Sequence, residues 1–530
     1  MENLLHVLKG EADNSPATRK KYSRDASIFE VVPAGVVYPK DEQDLSALIH
    51  FVTKQRQHGQ AVSLTARNGG TCMSGGPLTE SLVVDMSRHF THVGKLNTHS
   101  RSLWVQGGVM HLEVEKATQP DGWLFAPYTS SRDICGIGGM IGNNASGERS
   151  VKYGPTSSNV KNLKVMLSDG NVYEFGPMTA AEVEKKKHLA SFEGKIYRQI
   201  TELLDKNWYL INHNHPRTKK NAAGYALWDL WDEHRSHFNL ARLFVGAQGT
   251  LGFVTEAELK IVPLSKAHRM LVVPISELHE LTPVVKTLLS FNPEACETFD
   301  HHTYELAERV HPEDAQRAHV AKGKHMIVFG IYAGDTQKQA DAQANKARAA
   351  LSASGREVYW IEEDAAVESF LLIRRKSFKM LLENPTPSYR AMAFLEDTIV
   401  PLEHYGEFLA ALESILADYD MTYTYAGHIG DGSIRLVPLV NVERDRAAEQ
   451  IMELESRVNQ LVFAFGGSMS VDHNDGIIRT PFLEEMYGAE MNRLFAEVKH
   501  IFDPLNIFNP GKKVGGTYDY AVQHIITKNV

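Results

Sequence analysis

Three glycine-rich clusters, each set against a strand-like run, constrain this chain more than any other feature. ARNGGTCMSGG spans Ala66 to Gly76 and lies between AVSLTA and SLVVDM. GIGGMIGNNASGERSVKYG runs from Gly136 to Gly154, and GAQGTLGFVTEAELK begins at Gly246. Linkers would be runs of Gly and Ser outside the strands, so linkers do not explain this pattern. Consecutive backbone N–H groups in such a loop form an anion nest, and glycine lets the main chain approach a phosphate closely. Taken alone, the first cluster reads equally well as a tight turn. The small residues of the second leave room for a flat ring system, and Asn143, Asn144 and Ser146 can donate or accept at a polar ring edge.

At 530 residues the chain exceeds what one hydrophobic core usually holds, so two or three domains are expected. The net charge of -9, with no basic block, speaks against nucleic acid as a partner and against a polybasic membrane patch. Cys72, Cys135 and Cys296 form no CxxC pair and no zinc or iron–sulfur ligand set. So few thiols suggest a reducing compartment. MENLLHVLKGEADNSP lacks a signal peptide's apolar core, and no stretch approaches the ~18 apolar residues of a membrane span. The expectation is a cytoplasmic protein, with peripheral attachment to the inner membrane left open.

The pattern predicts an α+β fold. Residues 1–30 read as a polar helical lead-in. In 31–265, GVVYPK, AVSLTA, SLVVDM and SLWVQGG read as short strands, and Asp41 can cap a helix whose Leu45, Leu48, Ile49 and Val52 share one face. No βαβ dinucleotide fingerprint appears. Over 266–480 strands and helices alternate from HRMLVVPIS onward, predicting an antiparallel sheet with helices on one face. RAMAFLEDTIVP reads as one strand, AAVESFLLIRRKSFKMLLEN as one helix, and MTYTYAGHIGDGSIRLVPLV as a long strand or hairpin. Residues 481–530 supply C-terminal helices and FDPLNIFNPGKKV.

In order along the chain, VVPAGVVYPKDEQDL, RNGGTCMSGG, GGMIGNNASG with KYGPTSSNVKNLKVMLSDG, KNAAGYAL and GAQGTLG resemble the flavoprotein family of vanillyl-alcohol oxidase and p-cresol methylhydroxylase. FLEDTIVP, GHIGDGSIR, GGSMSVDHNDG and FDPLNIFNPGK are similar to its D-lactate dehydrogenase, glycolate oxidase and D-2-hydroxyglutarate dehydrogenase branch. The resemblance implies a two-part FAD-binding domain of the p-cresol methylhydroxylase type plus a substrate or cap domain. It implies that the first loop clasps the FAD pyrophosphate, through Arg67, Asn68, Gly69, Gly70, Thr71, Cys72, Met73, Ser74 and Gly75. Gly138, Gly139, Asn143, Asn144, Ser146 and Gly249 are implied as further flavin contacts. No histidine lies in the loop from Arg67 to Gly76, so the FAD is expected to be non-covalent, although Cys72 and Cys135 are nearby. Arg479, Asn509 and Lys512 read either as flavin or substrate neighbours or as part of a C-terminal cap.

The implied reaction is oxidation of a small, D-lactate-like 2-hydroxy acid. It needs a flavin to accept hydride at N5, a base for the hydroxyl proton, cations for the carboxylate and a stabiliser for the developing alkoxide. His473, between Asp472 and Asp475 in SVDHNDG, is the candidate base, since a neighbouring carboxylate could fix its tautomer. Arg374 matches the family's arginine for the substrate carboxylate. His428 matches a ligand of the family's metal site, but Arg435 and Asp472 stand where the family has a second histidine and a glutamate. Arginine cannot ligate, so a divalent metal is doubtful. His428 and Asp472 would hold one if it is present, and the alternative is that Arg435 supplies the charge. Hydroxyglutarate relatives carry a lysine where this chain has Leu395, which argues for a monocarboxylate.

Relatives often add an iron–sulfur domain. No such cysteine clusters follow here, and the electron acceptor stays open among quinone, cytochrome, electron-transfer flavoprotein and oxygen. Two rival readings also stay open: a flavoenzyme of this fold acting on a sugar, lactone or lipid precursor, and a catalytically decayed flavin-binding subunit.

Overall fold

The computed structural model describes residues 7–319, 325–383, 388–419 and 421–527. The MENLLH start of the lead-in and Asn384, the end of the helix read as AAVESFLLIRRKSFKMLLEN, lie outside them.

Strands β1 (Glu11–Asp13), β2 (Gly35–Tyr38), β3 (Leu64–Arg67) and β4 (Leu82–Asp85) form a first sheet in the order β1-β2-β4-β3. Helix α1 (Glu42–Gln57) joins β2 to β3. The Asp41 carboxylate accepts the Asp44 N–H, and Leu45, Leu48, Ile49 and Val52 are buried as their spacing predicts. Both β2 and β3 run parallel to β4. The first glycine cluster therefore leaves the carboxyl end of a parallel strand, where open α/β sheets form their ligand crevices.

A second, antiparallel sheet orders β5 (Ser102–Gln106), β6 (Val160–Met166), β7 (Val172–Phe175) and β8 (Phe253–Lys260) as β5-β8-β6-β7. Helix α2 (Ile137–Asn143), built from the second glycine cluster, ends at Asn144 in the left-handed region, φ 54°. The third cluster feeds β8. The Gly107 carbonyl accepts from Asn68 Nδ2 of the first cluster and Gly138 N–H of the second (both 2.8 Å), and the Gln248 N–H of the third donates to the Gly142 carbonyl (2.9 Å), which draws all three clusters to one mouth. The C-terminal NIFNP segment closes it, with Leu64 N–H on the Ile507 carbonyl (2.7 Å) and Asn509 N–H on the Leu64 carbonyl (2.8 Å).

The third sheet carries β9 (Ala267–Ile275), β10 (Ala295–Asp300), β11 (Met326–Gly334), β12 (Tyr359–Ile361), β13 (Tyr389–Ala391), β14 (Thr422–Gly427) and β15 (Ser433–Asn441). Their order is β12-β9-β11-β10-β14-β15-β13. All neighbouring pairs are antiparallel. Helices cover both faces rather than the one predicted. Leu271, Val273 and Val328 pack with helices Leu281–Leu289 and Gln337–Ala353. Met270, Val272 and Phe329 pack on the opposite face with Phe370 of helix α3 (Asp364–Arg375). The unbroken apolar runs of β9 and β11 are the signature of strands buried on both sides.

Two further elements depart from the sequence reading. The helix read through FLLIRRKSF breaks after Arg375. RAMAFLEDTIVP is strand only at Tyr389–Ala391 and Thr398–Ile399, because the Glu396 and Asp397 carboxylates turn inward to side-chain and backbone donors. MTYTYAGHIGDGSIRLVPLV is a hairpin, β14 paired with β15. Among the described residues no helix is long and apolar enough to cross a membrane.

Candidate active site

The three glycine clusters wall one cleft. Of the predicted flavin contacts, Arg67, Asn68, Gly69, Gly70, Thr71, Cys72, Gly138, Gly139, Asn143 and Gly249 line it. At Gly69 and Gly138 the backbone comes too close for anything larger. A Cβ on Gly69 would lie 1.9 Å from the Ile134 carbonyl oxygen, and one on Gly138 2.6 Å from that of Gly107. A glycine cradle with backbone N–H groups at the end of a parallel strand fits a dinucleotide such as FAD.

The remaining predicted contacts do other work. The Ser74 hydroxyl donates to the His473 carbonyl (2.8 Å), and the Asn144 side chain accepts the Ser157 N–H (2.9 Å). Met73 and Gly75 lie in the loop but not among the cleft-lining residues. Asn509 is a fastener: its amide donates to the carbonyls of Gly76 (3.0 Å) and Gln248 (2.7 Å). Gln248, absent from the sequence reading, ties Asn143 (3.1 Å) to the Gly476 N–H (2.8 Å).

The turn Val471–Gly476 brings the catalytic candidates against this cleft. The Nδ1 of His473 contacts the Glu396 carboxylate, leaving Nε2 without a hydrogen-bond partner among the described residues. The other Glu396 oxygen takes Arg479 Nη2 at 2.6 Å. Burial would push the Glu396 carboxyl up, but His473 and Arg479 hold it down at about 2. Asp397 collects the backbone N–H groups of Val471 (2.9 Å), Asp472 (2.8 Å) and His473 (2.9 Å). An imidazole anchored through Nδ1 to a fixed carboxylate presents a basic Nε2.

Beside it lies a buried hub of charges. The pairing Phe299 with Ala426 and Ala426 with Arg435 sets Glu297 of β10 and Arg435 of β15 on the sheet face that α3 covers. Arg374, in the last turn of α3, pairs with Glu297, and its Nη2 is 3.1 Å from His428 Nδ1. Glu297 also meets His428 Nδ1, at 2.7 Å. Burial pushes the Glu297 carboxyl up to about 8 against the pull of Arg374. Burial and the surrounding cations hold His428 well below the ordinary histidine range, so it is a neutral imidazole. Arg435 Nη2 reaches Asp472 Oδ2 (3.0 Å) and His428 Nε2 (3.3 Å). Ser146, predicted at the flavin, instead donates to Asp472.

Neither acidic cluster fits a metal ion. Between His428 Nε2 and Asp472 Oδ2, which are 3.7 Å apart, sits the Arg435 guanidinium, a donor without a lone pair. Ligand atoms of Glu396, Asp397 and His473 lie within 4.8 Å of one another, but Arg479 and backbone N–H groups already satisfy the carboxylates.

Sequence reasoning missed Lys220, Glu297, Glu396 and Asp397 as site members. The one usable signal was an acidic pair inside the apolar run of FLEDTIVP, since carboxylates are rarely buried without partners.

Known proteins agree with this architecture. Residues 33–176 match the FAD binding domain, and residues 264–513 match the C-terminal domain of FAD linked oxidases. A D-2-hydroxyglutarate dehydrogenase of Pantoea ananatis is 28% identical over 95% of this chain, which spans 50% of that protein. The chain thus covers about half the length of the D-2-hydroxyglutarate dehydrogenases from Pantoea and Escherichia coli that it matches. Glycolate oxidase subunit GlcD of Bacillus subtilis is 26% identical over 96% of both chains. D-lactate dehydrogenase of Archaeoglobus fulgidus is 24% identical, over 90% of this chain and 91% of its own. In fold, 4-ethylphenol oxidase from Gulosibacter chungangensis superposes with a TM-score of 0.68 at 16% identity, covering 96% and 95% of the two chains. With both matched domains in order around one glycine-walled cleft, the chain belongs to the FAD-linked oxidases.

Proposed function

We propose that this chain oxidises a small, D-lactate-like 2-hydroxy acid to the 2-oxo acid. The observation that carries the proposal is His473: Nδ1 is anchored on Glu396, Nε2 has no partner among the described residues, and its carbonyl is tied to the flavin loop through Ser74. Bound FAD supplies a hydride acceptor at N5. His473 Nε2 takes the hydroxyl proton as the C2 hydride leaves. Arg435 is the fixed cation for the C2 oxygen, Arg374 behind it is the one assigned to the substrate carboxylate, and the neutral His428 that both contact adds no third charge. Burial keeps the Cys72 thiol protonated, which supports non-covalent FAD.

Relatives named for D-2-hydroxyglutarate, glycolate and D-lactate support the substrate class. Leu395 is buried in the apolar core and offers no cation to a second carboxylate, which favours a monocarboxylate. The acceptor of the electrons is a quinone, cytochrome, electron-transfer flavoprotein or oxygen. The test is anaerobic addition of D-lactate, L-lactate, glycolate and D-2-hydroxyglutarate to the yellow protein. Bleaching by D-lactate or glycolate is expected, and His473→Gln should slow it about 10²–10⁴-fold. Bleaching by D-2-hydroxyglutarate alone would overturn the monocarboxylate. A yellow protein that none of them bleaches would move the reading to a sugar, lactone or lipid substrate, or to a decayed site.

A further inference from the structure

Lys220 is the hub member that the proposed chemistry does not use. It enters from the KNAAGYAL segment, and its side chain is 1% exposed. Its ammonium is ringed by oxygens: Ser146 Oγ at 2.8 Å, Ser150 Oγ and Asp431 Oδ2 at 3.2 Å, and Asp472 Oδ1 at 3.3 Å. Ser150 also donates to Asp431 (2.5 Å).

Asp472 is thus gripped by two cations at once, Lys220 on Oδ1 and Arg435 Nη2 on Oδ2. Two single charges on the two oxygens of one carboxylate do what a divalent ion on that carboxylate would do. With the Ser146 hydroxyl also on Oδ1, they leave little lone-pair capacity for such an ion. Arg374, Arg435 and Lys220 face Asp431, Asp472 and a Glu297 carboxyl raised to about 8, so the hub holds no surplus of negative charge for an ion to neutralise. A further double charge in this dry interior would be uncompensated. Of the three cations only Arg435 has appreciable side-chain exposure, 19% against 4% for Arg374 and 1% for Lys220.

We infer that Lys220 and Arg435 form a built-in dication that makes this site metal-independent, with Arg435 presenting charge to the substrate oxygen and Lys220 acting as a positioning residue through Asp472. The inference rests on the 2-hydroxy-acid reading for its use, but the dication itself can be tested without substrate. Flavin-loaded protein, purified without chelator, should carry far less than one zinc, manganese or iron per chain. Co²⁺ should give it no visible d–d bands and no rise in Tm. The double variant Arg435→His with Asp472→Glu restores two ligands beside His428, and it should gain Co²⁺ bands and a Co²⁺-dependent rise in Tm. Lys220→Met frees Asp472 Oδ1, so Mn²⁺ or Co²⁺ should raise the Tm of that variant while leaving wild type unmoved. Once a substrate is in hand, Lys220→Met should lower kcat/KM about 10–100-fold, as loss of an outer partner of a ligand does. Stoichiometric metal in wild type, or Co²⁺ bands in wild type, would overturn the inference. So would a Lys220→Met variant whose Tm no divalent ion moves. A wild-type protein that is metal-free yet bleached by no hydroxy acid would leave the dication standing and remove the substrate reading instead.

Discussion

The flavin cleft and the charge hub adjoin at the Val471–Gly476 turn, yet they are built in opposite ways. The cleft is made of main chain: its walls are glycines whose Cβ atoms would strike neighbouring carbonyls at Gly69 and Gly138. The hub is made of side chains drawn from distant segments. Ser146 and Asp472 are 326 residues apart, and Lys220 and Asp472 are 252 apart. A backbone-built site needs local sequence of a special kind, while a side-chain site needs pairs that only the fold brings together. The cleft should therefore fail by losing ligand and the hub by losing stability.

The largest expected effect tests the side-chain-built network beside the hub. Arg479 is fully buried against Glu396, with Asp397 at 3.8 Å and Glu455 at 3.9 Å. Arg479→Met strands buried carboxylates, and breaking such a pair from one side costs about 3–5 kcal/mol. Urea unfolding should show that loss with the flavin-free protein as well as the loaded one. A loss seen only in the loaded protein would assign Arg479 to the cleft instead.

Next in size is Glu297→Gln, and its sign depends on pH. The native carboxyl is raised from 4.5 to about 8 by burial. Stability tied to this group is full below pH 4.5 and is lost as pH rises towards 8, because the native state must keep a proton the unfolded chain releases. Glutamine cannot ionise, so the variant should gain on wild type by up to ~1.4 kcal/mol per pH unit across that window. Denaturant midpoints at pH 5 and pH 8 measure it. An offset that is the same at both would mean that Glu297 is ionised throughout.

The same contrast explains what the sequence could reveal. Helix α1 was legible because its cap and apolar face are local. The cleft was legible because glycine clusters beside strands have few other uses, and ten of its predicted contacts line it. His473 and its anchoring by a carboxylate were also readable, but the flanking Asp472 and Asp475 suggested the wrong partner. Asp475 goes to Lys513 (2.9 Å) and Asp472 to Arg435, while the anchor is Glu396, 77 residues away. Ser146 was misassigned for the same reason: a serine in a glycine cluster says nothing of a lysine that arrives from residue 220. Helices on both faces of the third sheet could have been read from its unbroken apolar strands, had run length been weighed above alternation.

A middle-sized effect tests the cleft side. Gly138→Ala places a methyl 2.6 Å from the Gly107 carbonyl oxygen, and overpacking of this kind costs about 1–3 kcal/mol. Gly139→Ala is the matched control, since its Cβ meets only Asn68 Cβ at 3.7 Å. The ratio of flavin to protein absorbance should fall well below wild type for Gly138→Ala and stay closer to it for Gly139→Ala. Equal losses would mean that the added methyls act by filling the cleft rather than by moving its wall.

The smallest effect comes from a residue that combines both kinds of construction. Asn144 ends α2 with a backbone in the left-handed region, and its side chain also holds the Ser157 N–H at 2.9 Å. Asn144→Gly keeps the backbone conformation and gives up the hydrogen bond, a net loss of about 0.5–1.5 kcal/mol. Asn144→Ala gives up the bond too and, unlike glycine, keeps a β-carbon in the left-handed region without asparagine's polar side chain to offset it, about 1–2 kcal/mol worse than Asn144→Gly. If main chain sets the cleft, flavin occupancy should follow the strain: near wild type in Asn144→Gly and reduced in Asn144→Ala. Should both variants lose flavin equally, the Ser157 bond would be what shapes this wall, and the line between a backbone-built cleft and a side-chain-built hub would have to be redrawn on the far side of Asn144.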